Sequence, residues 1–322
     1  MAGLNYSTSP NLELVKTALD QLRDNTLLTV DNNGKARATD TLIFTQTTVD
    51  RAAWISSVIG GGGYYKKTVS GVAQDITVKK QATKNAFAPK TTIIAEFNQD
   101  IPISRSFMQD QQEDAVAKSV RQASMAWEAT RDQNAFAFYA YGFSTTLSTT
   151  IGDAVQLFSN NHVNANGDTV DNYETGAMSD ANLNTVVVSL RSQKSQFGVI
   201  VGYEPKFILC GSTLHHDAVI VSKSVLKAGS GANDLNYFSE MYPGAQVKWN
   251  QFVDNSGATA QTTMYFVGTD QHGLVRFERE AMFSTLVGWE TDPDDLYKYK
   301  LRAREEVDTI EYTGLVGSDG TV

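Results

Sequence analysis

The fold of this chain is decided by residues 101–142, IPISRSFMQDQQEDAVAKSVRQASMAWEATRDQNAFAFYAYG, where a β-type segment runs directly into one long helical segment. Residues 106–109 have the Ser-x-x-Gln form of a capping box, whose side chains satisfy free N–H groups at a helix start. Acidic side chains follow in the first turns, where the helix dipole favours negative charge. No proline or glycine interrupts residues 106–141. The sequence therefore predicts one helix of about 50 Å that stops at Gly142, longer than most globular helices.

The packed face of this predicted helix is indicated by apolar residues at roughly helical spacing. Such a stripe is typical of a helix that lies with one side against the protein body. Its members are Val116, Val120, Ala123, Trp127 and Phe138, with a polar break at Asn134.

Two segments upstream of the helix, residues 64–80 and 91–104, have the composition of strands. They are rich in Val, Ile, Thr, Tyr and Phe and alternate in part between apolar and polar residues. Residues 82–90 between them are basic and polar, and they form the predicted tip of a long antiparallel hairpin. Because a two-stranded hairpin is marginally stable alone, we expect this one to need a partner surface. This is the first indication of an assembly protein.

A shorter helix is predicted near the N-terminus. Ser9-Pro10 offers a hydroxyl at the N-cap and a proline at the first helical position. Leu12, Val15, Leu19 and Leu22 follow at helical spacing. Two interpretations are open: the helix packs on its own domain, or it belongs to an arm that lies against a neighbouring subunit.

The region after the long helix alternates between helical and strand patterns, which predicts an α/β or α+β domain over residues 150–270. From Gly273 the chain returns to β character, with alternating segments at residues 297–304 and 307–315. The elements predicted in between are a helix capped by Ser179 and ended by Gly198, a strand at 205–210, a helix capped by Ser212 that runs through Leu226, and strands at 247–253 and 263–268.

Composition excludes several classes of protein. The 322 residues are 41% apolar and 20% charged, as in ordinary globular proteins, and no apolar run reaches the roughly 18 residues of a membrane span. The N-terminus lacks the pattern of a secretory signal, which favours a cytoplasmic origin. With 27 basic and 36 acidic residues the net charge is -9, so we expect contact with DNA to be weak and non-specific.

No metal or nucleophile pattern stands out. His215 and His216 are adjacent and would point about 100° apart on a helix, and no HExxH motif accompanies them. Cys210 lies in an apolar strand, which favours a buried, unreactive thiol. It is the one cysteine of the sequence, which excludes an internal disulfide. A calcium loop beginning at His162 fails because the twelfth position is Tyr173 rather than Glu. An Asn-Gly turn is the better interpretation of that stretch.

Phosphate binding and acid–base chemistry find no support either. The four glycines at residues 60–63 lack the Gly-Lys-Ser/Thr of a P-loop, so a flexible hinge is predicted there. Glu305 and Glu306 are neighbours on a predicted strand and face opposite sides, which is poor geometry for an acid–base pair. We expect them on an exposed polar face. The sequence therefore predicts no catalytic, cofactor-binding or metal-binding residue, and not an enzyme.

Three segments, taken in order, resemble the Hong Kong 97-type capsid fold of tailed phages. Residues 103–110, ISRSFMQD, are similar to the "isrelleD" pattern that leads into the long spine helix of that family. Residues 157–162, LFSNNH, resemble an "lFs..H" element found especially in Mu-like major head subunits. Residues 295–304, DLYKYKLRAR, with Gly314-Leu315-Val316, are similar to the closing strands of the family's P-domain. Their order and spacing make the resemblance.

The resemblance implies an α+β fold with an N-arm, a β-hairpin E-loop, a spine helix, an A-domain and a P-domain. The expected divisions are residues 1–45 for the N-terminal arm, 46–100 for the E-loop hairpin and flanking strands, 101–150 for the P-domain with the spine helix, 151–275 for the A-domain, and 276–322 for the return strands of the P-domain.

The resemblance also implies a function. A major capsid protein assembles with itself, as hexamers and pentamers, into an icosahedral shell around phage DNA. Further expected partners are a portal, a separate scaffolding protein and a decoration protein, with no membrane and no cofactor; assembly is expected in the host bacterial cytoplasm, and the product in the virion. The residues expected at contacts between subunits are Leu12, Val15 and Leu19 on the arm and Lys84, Phe87 and Lys90 near the hairpin tip.

Other functions remain open at this point. An encapsulin-like nanocompartment shares the fold and would contain enzyme cargo rather than DNA. A tail tube or sheath subunit would form tubes rather than icosahedra. An enzyme of unknown class would need a convergent polar site, for which the sequence gives no pattern.

Overall fold

The chain is seen in a computed structural model that describes residues 12–28, 34–49, 53–56, 67–69, 72–74, 90–104, 113–144, 153–164, 167–196, 198–227, 234–254, 263–288 and 296–321. The helices among these residues are α1 (Leu12–Leu28), α2 (Glu113–Ala140), α3 (Asp180–Ser192), α4 (His215–Lys223), α5 (Tyr237–Met241) and α6 (Gln251–Asp254). Several predicted features lie outside the described residues: the Ser9-Pro10 cap, the glycines at 60–63, Lys84, Phe87 and the capping box at 106–109.

The strands of the described residues fall into two main sheets and three short pairs. They are β1 (Thr45–Thr48), β2 (Ala53–Ser56), β3 (Lys67–Val69), β4 (Val72–Gln74), β5 (Lys90–Ile93), β6 (Ala95–Ser104), β7 (His162–Val163), β8 (Thr169–Val170), β9 (Tyr173–Glu174), β10 (Phe207–Cys210), β11 (Gln246–Trp249), β12 (Tyr265–Gly268), β13 (Leu274–Val287), β14 (Leu296–Thr309) and β15 (Leu315–Ser318).

Helix α2 is the longest helix described, and it joins the two main sheets. Its 28 residues extend about 42 Å. Val120 and Ala123 pack in one core with α1 and the four-stranded sheet, whereas Phe136 and Tyr139 pack in a second core near the five-stranded sheet. From Val120 to Phe136 the helix turns by about 160°, so its two halves bury different sides.

The end of α2 agrees with the predicted stop. The helix ends at Ala140, and a turn follows in which the Gly142 N–H donates to the Tyr139 carbonyl at 3.0 Å. A Cβ atom on Gly142 would lie 2.5 Å from the Phe158 ring. Glycine is therefore needed here for the close approach of the Phe158 ring.

The four-stranded sheet has the order β1-β13-β14-β6. The long strands β13 and β14 are antiparallel, β14 pairs antiparallel with β6 from Leu296 opposite Ser104, and β1 lies parallel to β13. This sheet brings together three widely separated parts of the chain. Helix α1 and the first half of α2 pack against it through Val15, Leu19 and Val120.

The predicted long hairpin has different strand partners. Strand β5 pairs with β2, β3 pairs with β4, and β6 pairs with β14. The predicted pairing of residues 64–80 with 91–104 is therefore wrong for the residues described, and Lys90, placed at the tip, lies in a strand opposite Ser56. Strand composition is a local property, whereas the choice of partner depends on packing across the whole chain.

The five-stranded sheet has the order β11-β10-β12-β15-β9. Helices α3 and α4 cover one face, where Val187, Ala218 and Ile208 share a core, and the end of α2 covers the other, where Tyr139 packs near Phe266. Strand β15 pairs with β12 in this sheet. Strand β15, which lies in the segment 276–322, thus belongs to the five-stranded sheet, where its four residues are buried. The expected division of the chain into domains stays a prediction.

Three predicted element boundaries change in the structure. The Ser179 cap of α3 is confirmed, since its hydroxyl accepts from the Asn182 N–H at 3.2 Å, but α3 ends at Ser192 rather than at Gly198. Helix α4 begins at His215, and the Ser212 hydroxyl donates to Asp254 at 2.7 Å instead of capping it. The predicted strand at 247–253 divides into β11 and α6.

Candidate assembly surfaces

Helix α1 is held against its own subunit. Val15 and Leu19 are 4% and 7% exposed and belong to one apolar cluster with residues of β6, α2 and β14, including Ile101 and Tyr299. Of the two interpretations of this helix, the structure supports packing on its own domain. The apolar side chains of Val15 and Leu19 are covered within this subunit, and their contact with a neighbouring subunit stays a prediction.

A carboxylate reinforces this docking. Asp20 accepts hydrogen bonds from the Tyr299 hydroxyl at 2.6 Å, from Lys16 at 2.8 Å and from the Ser284 hydroxyl. Burial raises the pKa of Asp20, but these donors together with Arg23 outweigh it and hold the pKa below its usual value. Asp20 is therefore a charged anchor that joins α1 to both long strands of the sheet.

A buried ion-pair cluster links the four-stranded sheet to α2. Arg276 on β13 is 3% exposed and donates to the carboxylates of Glu305 on β14 and of Glu278. Arg131 on α2 lies 4.0 Å from Glu305 and 2.7 Å from Glu128. Glu305 was expected on an exposed polar face, which is wrong: it is 7% exposed, because it faces the buried guanidinium of Arg276.

A second ion pair fixes residues 34–44 to α2. The Asp132 side chain, 1% exposed, accepts from Arg37 at 2.8 Å and from the Ala38 N–H at 2.9 Å. Phe44 then packs on Phe136 with ring centroids 5.2 Å apart. Residues 34–44, which precede β1, are thus held against α2 by both an ion pair and an aromatic contact.

His162 has a structural environment. Its Nδ1 lies 2.6 Å from Asp153 and its Nε2 lies 3.2 Å from the Leu157 carbonyl, while the ring stacks on Tyr312 at 4.1 Å. The residues that follow form a turn: the Gly167 N–H donates to the Asn164 carbonyl at 2.9 Å, and Gly167 has a φ of 83°. The turn interpretation is confirmed.

The thiol and the other histidines do not converge on a site. Cys210 lies in the core, where burial raises its pKa to about 12. His215 packs near Trp249, with ring centroids 5.9 Å apart. Among the described residues, no group of three His, Cys, Asp or Glu side chains could hold a metal ion. No helix of the described part of the chain is long and apolar enough to cross a membrane.

The six residues expected at subunit contacts are described only in part. Leu12 is the first residue of α1, Lys90 is the first residue of β5, and Lys84 and Phe87 lie outside the described residues. The structure instead reveals exposed apolar side chains on the helical layer of the five-stranded sheet, among them Val188, Val225 and Leu235. Their exposure could not be predicted from the sequence, because apolar residues beside a predicted helix are ordinarily assigned to its buried face.

Comparison with known proteins decides the family. A family model described as "Phage capsid protein" matches residues 88–318, which is more than half of the chain. The chain belongs to the phage capsid protein family. The matched region contains β6, α2, the five-stranded sheet and both long strands, so it covers the architecture described above. No curated protein sequence matches the chain at a significant level.

Solved structures support the same fold. The capsid of an empty GTA particle has a TM-score of 0.53 at 13% identity and covers 92% of this chain and 97% of its own. The capsid of cyanophage P-SCSP1u has a TM-score of 0.52 at 13% identity and covers 90% of each chain. A chain of Microbacterium phage Oxtober96 has a TM-score of 0.50 at 11% identity and covers 90% and 93%. At these identities the likeness shows the fold alone.

Together these findings confirm the predicted mixed helix-and-strand fold of the Hong Kong 97 type. They also confirm the structural role, because the phage capsid protein family consists of shell proteins. The assignment of α2 as the spine helix stays a prediction. The finer resemblance to Mu-like head subunits stays a prediction.

Proposed function

We propose that this capsid protein assembles with itself into a closed icosahedral head shell that encloses phage DNA. The observation that carries the proposal is the family match over residues 88–318 on a chain with the capsid fold. One subunit that repeats head-to-tail contacts around symmetry axes forms a closed surface when the rotations close. Hexamers and pentamers of the same chain would provide those rotations.

The remaining partners follow from the same proposal. A portal would occupy one vertex, a separate scaffolding protein would guide assembly in the bacterial cytoplasm, and a decoration protein would bind the finished outer surface. With a net charge of -9 the shell would contact packaged DNA weakly and without sequence preference. The subunit acts through its surfaces and is not proposed to be an enzyme.

We further propose that the segment between β2 and β5 overlaps a neighbouring subunit. A two-stranded pair gains stability from a partner surface, and β2 and β5 form a two-stranded pair at the base of this segment. Lys84, Phe87 and Lys90 would then contribute to the contact, together with Leu12 and the outward side of α1. Replacing residues 82–89 with a short Gly-Ser linker should abolish closed particles but leave the unfolding of the subunit unchanged; normal particles would contradict this contact.

The function is tested by the shape and contents of particles purified from phage-producing cells. Negative-stain microscopy should show closed icosahedra that contain nuclease-protected DNA. Tubes would indicate a tail protein, and closed particles filled with a single enzyme would indicate a nanocompartment. Either of those two results would overturn the proposed role.

A further inference from the structure

His162 is completely buried, and both nitrogen atoms of its ring face oxygen atoms. Its Nδ1 lies 2.6 Å from a carboxylate oxygen of Asp153, and its Nε2 lies 3.2 Å from the carbonyl oxygen of Leu157. A neutral imidazole has one N–H and one bare nitrogen, so it can donate to only one of these two oxygens. The geometry therefore calls for a proton on each side of the ring.

The second proton belongs to the pair formed by His162 and Asp153. Imidazole is a stronger base than a carboxylate, since free histidine titrates near pH 6.5 and free aspartate near about 3.9. The proton between Nδ1 and the carboxylate is therefore held by the ring, and the pair consists of an imidazolium beside a carboxylate. A charge-assisted hydrogen bond of this kind is roughly twice as strong as a neutral one.

Asp153 is itself held in place by the turn in which it lies. Its side chain is 5% exposed, and one of its carboxylate oxygens accepts from the Val155 N–H at 3.2 Å. Ala154 between them has a φ of 54°, in the left-handed region that residues other than glycine rarely adopt. Such a backbone conformation persists where the surrounding contacts fix it. The turn thus presents the Asp153 carboxylate to His162.

Tyr312 covers one face of the His162 ring, with ring centroids 4.1 Å apart. Burial, together with the charges of Asp153 and Glu311, raises the pKa of the Tyr312 hydroxyl, and burial also raises the pKa of Glu311. On the paired strand β8, the residue opposite His162 is Val170. Of the described side chains that bond to the ring, stack on it or lie opposite it, Asp153 is thus the one that carries a charge.

The segment between Asp153 and His162 joins the end of α2 to the five-stranded sheet. Phe158 lies in this segment, and its N–H donates to the Gly142 carbonyl at 2.9 Å, just beyond α2. Its ring packs on Phe266 of β12, with ring centroids 4.9 Å apart. Because Phe158 is fully buried, any movement of the segment opens the core at this joint.

We propose that His162 and Asp153 form a proton-dependent latch that holds residues 153–162 against the joint between α2 and the five-stranded sheet. While the pair holds its proton, both oxygens that face the ring receive a hydrogen bond. When the proton leaves for solvent, a bare nitrogen faces an oxygen and the pairing of opposite charges is lost, so the segment loosens. The latch lies inside one subunit and does not depend on the proposed shell function.

The direction of the pH dependence follows from the folded and unfolded states. The unfolded chain releases the histidine proton above about pH 6.5, whereas the folded latch retains it. Above that pH, folding therefore takes up a proton. The stabilisation that the latch contributes is complete below about pH 6.5 and is lost as the pH rises.

Asp153→Asn tests the latch, because it satisfies the same atoms without the extra proton. The asparagine oxygen can still accept from Val155, its amide can donate to Nδ1, and the neutral ring can donate to Leu157. The unfolding equilibrium constant of the unassembled wild type, divided by that of the variant, should rise at least about tenfold from about pH 5 to about pH 9. This ratio cancels groups common to both chains, such as Glu306 and His272. A ratio that stays constant with pH in urea denaturation would overturn the proposal.

Nuclear magnetic resonance of the ring nitrogens gives an answer that does not depend on a variant that folds. The wild-type chain is labelled with nitrogen-15 histidine, and the His162 ring is assigned by correlation to its own backbone. At about pH 7.5, where a free histidine side chain is mostly neutral, both ring nitrogens of His162 should carry a proton. A proton-free nitrogen in the His162 ring at this pH would overturn the proposal, whatever the behaviour of Asp153→Asn.

Discussion

Arg276 lies between two carboxylates inside the four-stranded sheet and is only 3% exposed. Burial raises the pKa of Glu305, although the guanidinium of Arg276 opposes that effect. A buried pair of this kind contributes little net stability compared with an apolar pair, but removal of one partner leaves the other charge unpaired. Substitutions in this buried cluster should therefore lower the free energy of unfolding far more than substitutions in the exposed ion pair of Glu96 and Arg302.

The first prediction concerns Arg276. Arg276→Met should lower the free energy of unfolding of the unassembled subunit by about 3 to 5 kcal/mol at pH 8, because Glu305 stays buried without its cation. The loss should be smaller at pH 5, where Glu305 can bind a proton. Arg302→Ala, which breaks a pair that is 38% exposed on the Arg302 side, is the matched control and should cost about 1 kcal/mol or less. Equal losses of unfolding free energy for the two variants, measured by urea denaturation, would contradict the burial of Arg276 and Glu305.

The second prediction concerns Glu306. Burial, with Asp308 and Glu305 nearby, raises its pKa from 4.5 to about 7. Because the folded state holds the proton more tightly than the unfolded state, the stabilisation from protonated Glu306 is complete below pH 4.5 and is lost as the pH rises to about 7. Over that window the loss should amount to about 2 to 3 kcal/mol.

Glu306→Gln isolates this contribution. Subtracting its pH–stability curve from that of the wild type cancels other groups, such as His272, whose pKa is lowered by burial and which therefore acts in the opposite direction. The difference curve should fall between pH 4.5 and 7. A flat difference curve would show that Glu306 is ionised at its ordinary pKa.

At the scale of elements, the docking of α1 depends on few side chains. Leu19→Ala should destabilise the subunit by about 2 to 4 kcal/mol, since a buried leucine loses its contacts and leaves a cavity. Hydrogen exchange across residues 12–28 should accelerate more than exchange in α2, because α2 is also held by a second core around Phe136 and Tyr139. Gln21→Ala, on the exposed side of α1, is the control and should leave exchange unchanged. Equal protection in both variants would mean that Leu19 does not hold the helix.

Elements that depend on local sequence could be predicted, whereas the partners of the strands could not. The long helix, its stop at Gly142, the Ser179 cap and the buried strand at Cys210 were predictable, because each depends on local spacing or on one capping residue. The pairing of β6 with β14 was not, since Ser104 meets Leu296 through contacts far apart in the chain. Phe136 and Tyr139 were missed because α2 turns between two cores, which a single apolar stripe does not describe.

The family of the protein could be predicted from the sequence, whereas its exposed apolar side chains could not. The family could be inferred from the order of segments at 103–110, 157–162 and 295–304, and the match to the phage capsid protein family confirms it. The exposure of Val225 and Leu235 could not be predicted, because apolar side chains of this kind are usually buried. In the structure the buried Asn236 side chain fixes the segment from which they project. The arm residues Val15 and Leu19 show the reverse case: an apparent contact surface that the subunit covers itself.

At the scale of the whole molecule, α2 packs against both main sheets, through Val120 on the four-stranded sheet and through Phe136 and Tyr139 beside the five-stranded sheet. An ion pair between Arg131 and Glu305 adds to its contact with the four-stranded sheet. In the proposed shell, subunits joined in this way would assemble through contacts between copies rather than through one chemical site.

The most direct test is a cryo-EM reconstruction of particles assembled from the purified chain. We predict a closed icosahedral shell in which each subunit shows α2 packed against both sheets. A tube or an open filament would contradict the conclusion that this chain forms the phage head.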